Sequence, residues 1–204
     1  MPGEDPELTR LIDKKRPVVF VGRVPQGIEA DVVANDIAAG TRLGVDHLLS
    51  KGHKRIALTT IEKSLSVSES RVEGWKRALR ARKLPADETL IVKTEMSIES
   101  SRMAMQRLLD HQSRPTAVFA DNLLTTIGIL EALQQAGLSC PEDLELVSSD
   151  DAEWLNVFRP AISTIVQPSY EMGAKAAELL LKRIRHPKRP YEKLMLKPEL
   201  RVRG

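Results

Sequence analysis

The 204-residue sequence predicts an α/β fold, a parallel sheet flanked by helices. Short apolar runs of strand length alternate with segments of helical periodicity, roughly 10–15 residues each, along nearly the whole chain; this is the pattern of successive βαβ units. Several of the strand runs also end on a polar side chain: Asn122 after Thr116–Ala120, Asp150 after Leu144–Ser148, and Gln167 after Ile162–Val166. In open α/β sheets ligands bind at the carboxyl ends of the strands, so these residues are expected to share one rim.

Pro17–Gly22 is a short apolar run read as a buried strand, and residues 31–35 are a weaker second candidate. From Ile37 to Lys51, Leu43, Val45, Leu48 and Leu49 recur at helical spacing, with Gly52 as the C-cap. Arg55–Thr60 is a strand. Ser68–Arg82 is a helix opened by Ser68 and carrying Val72, Trp75 and Leu79 on one face. Leu90–Lys93 reads as a strand, Ile98–His111 as a helix and Thr116–Ala120 as a strand. A helix over Leu123–Gln135 ends at Ala136-Gly137, and Leu144–Ser148 and Ile162–Gln167 are further strands. A last helix runs from about Tyr170 to Arg185, before an extended segment near Leu194–Val202. There is no internal repeat and no low-complexity tract.

Composition narrows the function classes. With 42% hydrophobic and 29% charged residues the chain is of ordinary soluble globular type. The net charge of +3 is mild, and the basic residues near the end are interspersed with Glu178, Glu192 and Glu199, as on a solvated helix end. Aromatic residues, at 3%, leave no stacking platform for single-stranded nucleic acid. The lone Cys140 excludes an internal disulfide and fits a reducing compartment. The N-terminus lacks the basic start and apolar stretch of a secretory signal, and no apolar run approaches the ~18 residues of a membrane span. A cytoplasmic protein without a membrane partner is the expectation.

Chemistry-bearing motifs are absent. No dinucleotide or P-loop glycine pattern, zinc-protease motif or serine nucleophile elbow occurs. His47, His53, His111 and His186 show no ligand spacing, and His47 and His53 flank a helix end where capping is the expected role. No catalytic residue, metal or cofactor is assigned. Asp150-Asp151 is the one carboxylate pair at a strand end, and an enzyme built on it needs a metal or another acid group. Binding is therefore favoured over catalysis. Arg71, which follows the Arg55–Thr60 strand, joins Asn122, Asp150 and Gln167 in a hydrogen-bonding set for a small polar ligand. A second reading makes Asn122 and Asp150 caps of the helix or turn that follows each.

The stretch from Gly40 to Ala57, Gly-Thr-Arg-Leu-Gly-Val-Asp-His-Leu-Leu-Ser-Lys-Gly-His-Lys-Arg-Ile-Ala, resembles the helix–strand hallmark of the lactose/galactose repressor family (LacI/GalR). Further hallmarks follow in order: Ser70–Trp75, Arg114–Ala120, Gly137–Asp143, Asp150-Asp151, Arg159–Pro168 and Glu171–Ala177. The resemblance runs from about Arg16 to Arg203. It implies a periplasmic-binding-protein-like fold of type I, two α/β lobes joined by three crossovers with the ligand in the cleft. Residues 1–36 would then be a remnant of the first lobe and 37–165 a nearly complete second lobe. Residues 166–190 would supply a crossover and a first-lobe helix, and 191–204 a return strand to the second lobe.

By the same resemblance Arg71, Asn122, Asp150 and Gln167 fall where the family contacts its effector, and Met96 where many members place an aromatic. Arg71 would donate through two nitrogens, Asn122 and Gln167 would donate and accept, and Asp150 would accept. The implied partners are a small-molecule effector, a sugar or sugar derivative, and a second copy of the chain. Operator DNA would be read only through a helix-turn-helix domain that full-length members carry in front and that has no counterpart here. A free-standing solute-binding protein is the runner-up, and a small enzyme using Asp150 and Asp151 the third reading. Three departures bear on the ligand: Gly22 where an aspartate is usual, Leu123 where aspartate follows the asparagine, and Ser148-Ser149 before the aspartate pair. The helix after Pro168, with Met172, Ala176, Leu179 and Leu180, is expected to lack much of the sheet it should cover.

Overall fold

The apolar runs become the strands of two separate sheets in the computed structural model, which describes residues 8, 10–11, 14, 16–25, 27–62, 65–111, 113–159 and 161–203. In chain order these are β1 (Val19–Val21), β2 (Asp31–Asn35), α1 (Ile37–Ser50), β3 (Ile56–Ile61) and α2 (Leu65–Ala81). Then come β4 (Ile91–Thr94), α3 (Ile98–Leu109), β5 (Ala117–Ala120), α4 (Leu123–Gln135) and β6 (Glu145–Ser148). β7 (Ser163–Val166), α5 (Ser169–Arg185), β8 (Lys193–Leu196) and β9 (Glu199–Arg201) complete the series. The chain divides into two units, Met1–Asp36 with Pro168–Lys197 and Ile37–Gln167 with Pro198–Gly204.

The larger unit holds a six-stranded sheet in the order β4-β3-β5-β6-β7-β9, parallel except for β9, which runs antiparallel to β7. Side-chain alternation sends Ile56, Leu58, Ala117 and Phe119 to one face, where Val45 and Leu48 of α1 and Trp75 and Leu79 of α2 cover them. Ala57, Val118 and Ala120 point to the other face, against Met105 of α3 and Ile129 and Leu133 of α4. Both faces of the central strands are thus covered, which is why they read as unbroken apolar runs. Two glycines let the helices pair closely: a Cβ on Gly74 would strike the Ala38 carbonyl oxygen, and one on Gly128 the Ile98 carbonyl oxygen. The Trp75 indole donates to the Ile56 carbonyl at 3.0 Å, tying α2 to the start of β3.

Strand order fixes where chemistry can gather. The chain passes from β3 outward to β4, then returns past β3 to β5, so the carboxyl ends of β3 and β5 flank the topological switch point of the sheet. At the opposite end His53 accounts for its two ring nitrogens with Thr116 at 3.0 Å and Glu145 at 2.8 Å, joining β5 to β6. Its side chain thus bridges strands, while its backbone amide donates to the Leu48 carbonyl at 3.3 Å and helps close α1.

The smaller unit is a parallel sheet in the order β1-β2-β8, with α5 packed on it. Met172 and Leu179 of α5 are buried against Val33, with Val19, Leu194 and Leu196 around them. The helix is therefore not left without a sheet, although Leu181 and Ile184 stay more than half exposed.

Two boundaries differ from the sequence reading. α2 starts at Leu65, ahead of Ser68, because the Ser68 hydroxyl donates to the Ile61 carbonyl at 2.6 Å. The segment expected as one return strand is two: β8 pairs with β2 in the small sheet, and β9 pairs with β7 in the large one. Pro198 separates them; it lacks a donor for either ladder, and its ring packs on Gly40.

Candidate functional site

Arg71 lies two turns into α2, and the fold buries it to 7% exposure above the switch point. One of its terminal nitrogens, Nη2, donates to the Asp121 backbone carbonyl at 2.8 Å. Its Nε and Nη1 are buried and have no hydrogen-bond partner among the described residues. Burial works against its charge, and the carboxylates of Asp121 and Asp150 oppose that effect without overcoming it, so the guanidinium is somewhat more acidic than usual. It stays a cation at any physiological pH.

Asn122 takes the capping role of the second sequence reading. Its side-chain oxygen caps α4 by accepting from the Thr125 amide at 3.0 Å, while its Nδ2 is buried without a partner among the described residues. The cap fixes the side chain by one end and leaves the donor end for another group.

Asp150 and Gln167 meet directly, Gln167 Nε2 donating to Asp150 Oδ1 at 2.5 Å. The turn that presents Asp150 is shaped by Ser148, whose hydroxyl donates to the Asp150 carbonyl at 3.0 Å and accepts from Thr126 at 2.9 Å. A serine at 148 thus has a structural use at the point where the resemblance departs. Burial pushes the Asp150 carboxyl above its ordinary value; the Gln167 hydrogen bond and Arg71 pull it back only in part.

That shift has a measurable sign. A carboxyl with a raised folded pKa binds its proton more tightly in the folded state, so its contribution to stability is present in acid and lost as pH rises through the folded value. Asp150→Asn, which keeps an acceptor for Gln167, is expected to raise the melting temperature of the ligand-free chain at pH 7.5. The gain should shrink toward zero near pH 4, and a difference independent of pH would contradict the assignment.

Unpartnered polar atoms gather at this edge of the sheet. Of eight buried side-chain nitrogen or oxygen atoms lacking a partner among the described residues, six belong to Thr60, Arg71 (two), Thr94, Asp121 and Asn122. Thr60 and Thr94 lie at the carboxyl ends of β3 and β4, and Asp121 and Asn122 directly follow β5. Native proteins leave few buried polar groups unpaired, so this edge of the sheet is the candidate site. Donors and acceptors are both represented, as a polyhydroxylated molecule requires.

Asp121 is the residue that the sequence reading missed. Fully buried, it accepts from the Thr59 hydroxyl through Oδ1 at 2.8 Å, its amide donates to Thr59 Oγ1 at 2.9 Å, and its Oδ2 has no partner among the described residues. A carboxylate at the exit of the apolar run Ala117–Ala120 was the signal that could have found it. Met96 stands apart from the buried set, 60% exposed between β4 and α3.

Asp150 and Asp151 do not act as a pair: Asp151 is held by Arg201, by Arg203 at 2.8 Å and by Thr164 at 3.1 Å, whereas Asp150 faces Gln167. The second carboxylate is a fastener for the C-terminal strand. Among the described residues no group of three His, Cys, Asp or Glu side chains is placed to hold a metal ion. No helix among them is long and apolar enough to cross a membrane. A separate groove of about 630 Å³ between α4 and the 153–159 segment includes Leu130, Cys140, Trp154 and Phe158. Burial pushes the Cys140 thiol up to about 11, so it is protonated and unreactive at neutral pH.

The pattern of the family described as "Periplasmic binding protein-like domain" matches residues 45–204. The ribose operon repressor of Haemophilus influenzae is 36% identical over 171 residues, covering 84% of this chain and 52% of that protein. The chain thus spans about half the length of that curated relative. A LacI-family regulatory protein from Chloroflexus aggregans superposes with a TM-score of 0.88 at 31% identity, over 98% of this chain and 72% of the other. A LacI-family transcriptional regulator from Enterococcus faecium, solved with bound ribose, gives a TM-score of 0.85 at 32% identity, over 98% and 74%.

Proposed function

This chain belongs to the periplasmic binding protein-like domain family, and from that premise we propose that the Arg71, Asn122, Asp150 and Gln167 rim binds a sugar or sugar derivative as the effector-sensing part of a LacI-type transcriptional regulator. The observation that carries the reading is the set of buried, unpartnered donors and acceptors at the switch point. Arg71 supplies Nε and Nη1 to ligand hydroxyls, and Asn122 supplies Nδ2. Asp150 accepts from hydroxyls, with Gln167 orienting it through their mutual hydrogen bond. Met96, exposed near the carboxyl end of β4, offers a soft apolar surface for the non-polar face of a sugar ring.

No bond of the ligand is broken in this function. Effector binding favours one of two arrangements of the regulator and so changes its affinity for operator DNA, which a separate helix-turn-helix domain reads. The regulator works as a cytoplasmic homodimer in this reading. D-ribose is the first compound to test, because a relative is a ribose operon repressor and a structural neighbour holds ribose. Calorimetric titration of the chain with D-ribose, followed by other neutral pentoses and hexoses, should give saturable binding and a rise in melting temperature that grows with ligand concentration. Failure of every neutral sugar to shift the melting temperature at concentrations of about 10 mM would overturn the reading.

A further inference from the structure

Arginine in a recessed polar site is the ordinary recognition element for carboxylates and phosphates, because its planar fork matches two anionic oxygens. Taken alone, Arg71 would therefore point to an acidic ligand. Its surroundings point the other way. The charged groups that act on Arg71 are the carboxylates of Asp121 and Asp150, two negative charges around one positive. Asp121 cannot swing clear of the site: its amide and Oδ1 are both tied to Thr59 on the neighbouring strand, and the residue is fully buried.

We propose that Asp121 sets the charge class of the ligand, so that the site takes uncharged polyhydroxy compounds and rejects their carboxylate- and phosphate-bearing counterparts. The inference rests on the reading of this rim as a ligand site. The Asp121 carboxylate occupies the place of counter-ion to Arg71 that an acidic ligand would otherwise take, and with Asp150 it repels a second anion. The field of Asp121 is separable from its role in holding Arg71. Nη2 bonds to the backbone carbonyl of Asp121, which every substitution at 121 retains. Asp121→Asn also keeps a side-chain oxygen for the Thr59 hydroxyl. What it removes is the charge. Asp121 acts here as a specificity-determining residue through electrostatics, and Arg71 and Asn122 remain the ligand donors.

The test is a matched set of titrations on the full chain: D-ribose against D-ribonate and D-ribose 5-phosphate, and D-glucose against D-gluconate. The unaltered chain should prefer the neutral member of its better-bound pair by at least tenfold. In Asp121→Asn the preference should fall below about threefold, chiefly through a gain in affinity for the acids. Asp121→Ser, a smaller neutral residue that can still hydrogen-bond Thr59, should show the same loss and serves if the amide is poorly accommodated; melting curves establish that each variant is folded. A preference for the acids in the unaltered chain, or an undiminished neutral preference in folded variants, overturns the proposal while leaving the site reading in place. If neutral and acidic compounds alike fail to bind the unaltered chain, the site reading fails and the proposal falls with it.

Discussion

Replacing Arg71 with methionine should abolish effector binding while the chain remains folded. Arg71 presents two buried donors with no partner among the described residues, and hydrogen bonds from a charged group contribute about 1.5–3 kcal/mol each. Losing both corresponds to a weakening of two orders of magnitude or more. The fold should survive the change with a loss of stability: the desolvation of the guanidinium is relieved, but its Nη2 bond to the Asp121 carbonyl and its attraction to the Asp121 and Asp150 carboxylates are lost. Methionine fills a comparable unbranched volume. Arg71→Lys separates charge from shape: it restores the cation but not the planar fork, and should recover only part of the affinity. Calorimetric titration with D-ribose, alongside melting curves for both variants, is the measurement. Binding by the methionine variant as tight as in the unaltered chain would remove Arg71 from the site.

Much of that site was legible in the sequence for a simple reason. A parallel strand buried on both faces is an apolar run, so polar residues within a step or two of its end mark the carboxyl edge of the sheet. Asn122, Asp150 and Gln167 were located by this rule, and the structure places each directly after, or two residues beyond, the end of its strand. Asp121 escaped because the rule was applied to one residue per strand. Its importance depends on Thr59, 62 positions earlier, and on the carbonyl that receives Arg71. Neither partner is local in sequence. The switch point between β3 and β5 was equally hidden, since strand order depends on which strands pair and not on periodicity.

Element boundaries followed the same division between local and distant causes. α4 was read to the residue because an asparagine cap opens it and Ala136-Gly137 closes it, both local signals. α2 was read late, because Ser68 looked like a cap while its hydroxyl is engaged by the end of β3. The split of the last extended segment into β8 and β9 depends on which sheet each half joins, with Pro198 as the only local hint.

Asp31→Ala should produce the largest loss of stability of any single substitution considered, about 3–5 kcal/mol, the range for breaking a buried ion pair by removing one partner. Asp31 is fully buried at the start of β2 and is bridged by Arg183 through Nε at 2.8 Å and Nη2 at 3.1 Å. Arg189 adds a third contact at 2.9 Å, and the Glu192 amide donates at 2.9 Å. Burial alone would raise the Asp31 carboxyl, but these hydrogen bonds and the two positive charges outweigh it and hold the group below its ordinary value. Its stabilisation is therefore present above the ordinary carboxylate range and lost as pH falls through the depressed folded value. The deficit of Asp31→Ala, measured by denaturant unfolding, should accordingly be full at pH 7 and shrink in strong acid. Arg183 also donates to the Pro187 and Pro190 carbonyls and lies 4.6 Å over the Tyr191 ring, so these contacts hold it in place when its counter-ion is removed. Arg183→Met in the Asp31→Ala background removes that stranded cation and should restore part of the lost stability, since an apolar replacement for a buried pair is often neutral. If the double variant is less stable than Asp31→Ala by the full cost of Arg183→Met alone, the two residues are uncoupled, and the bridge does not hold β2 to the end of α5.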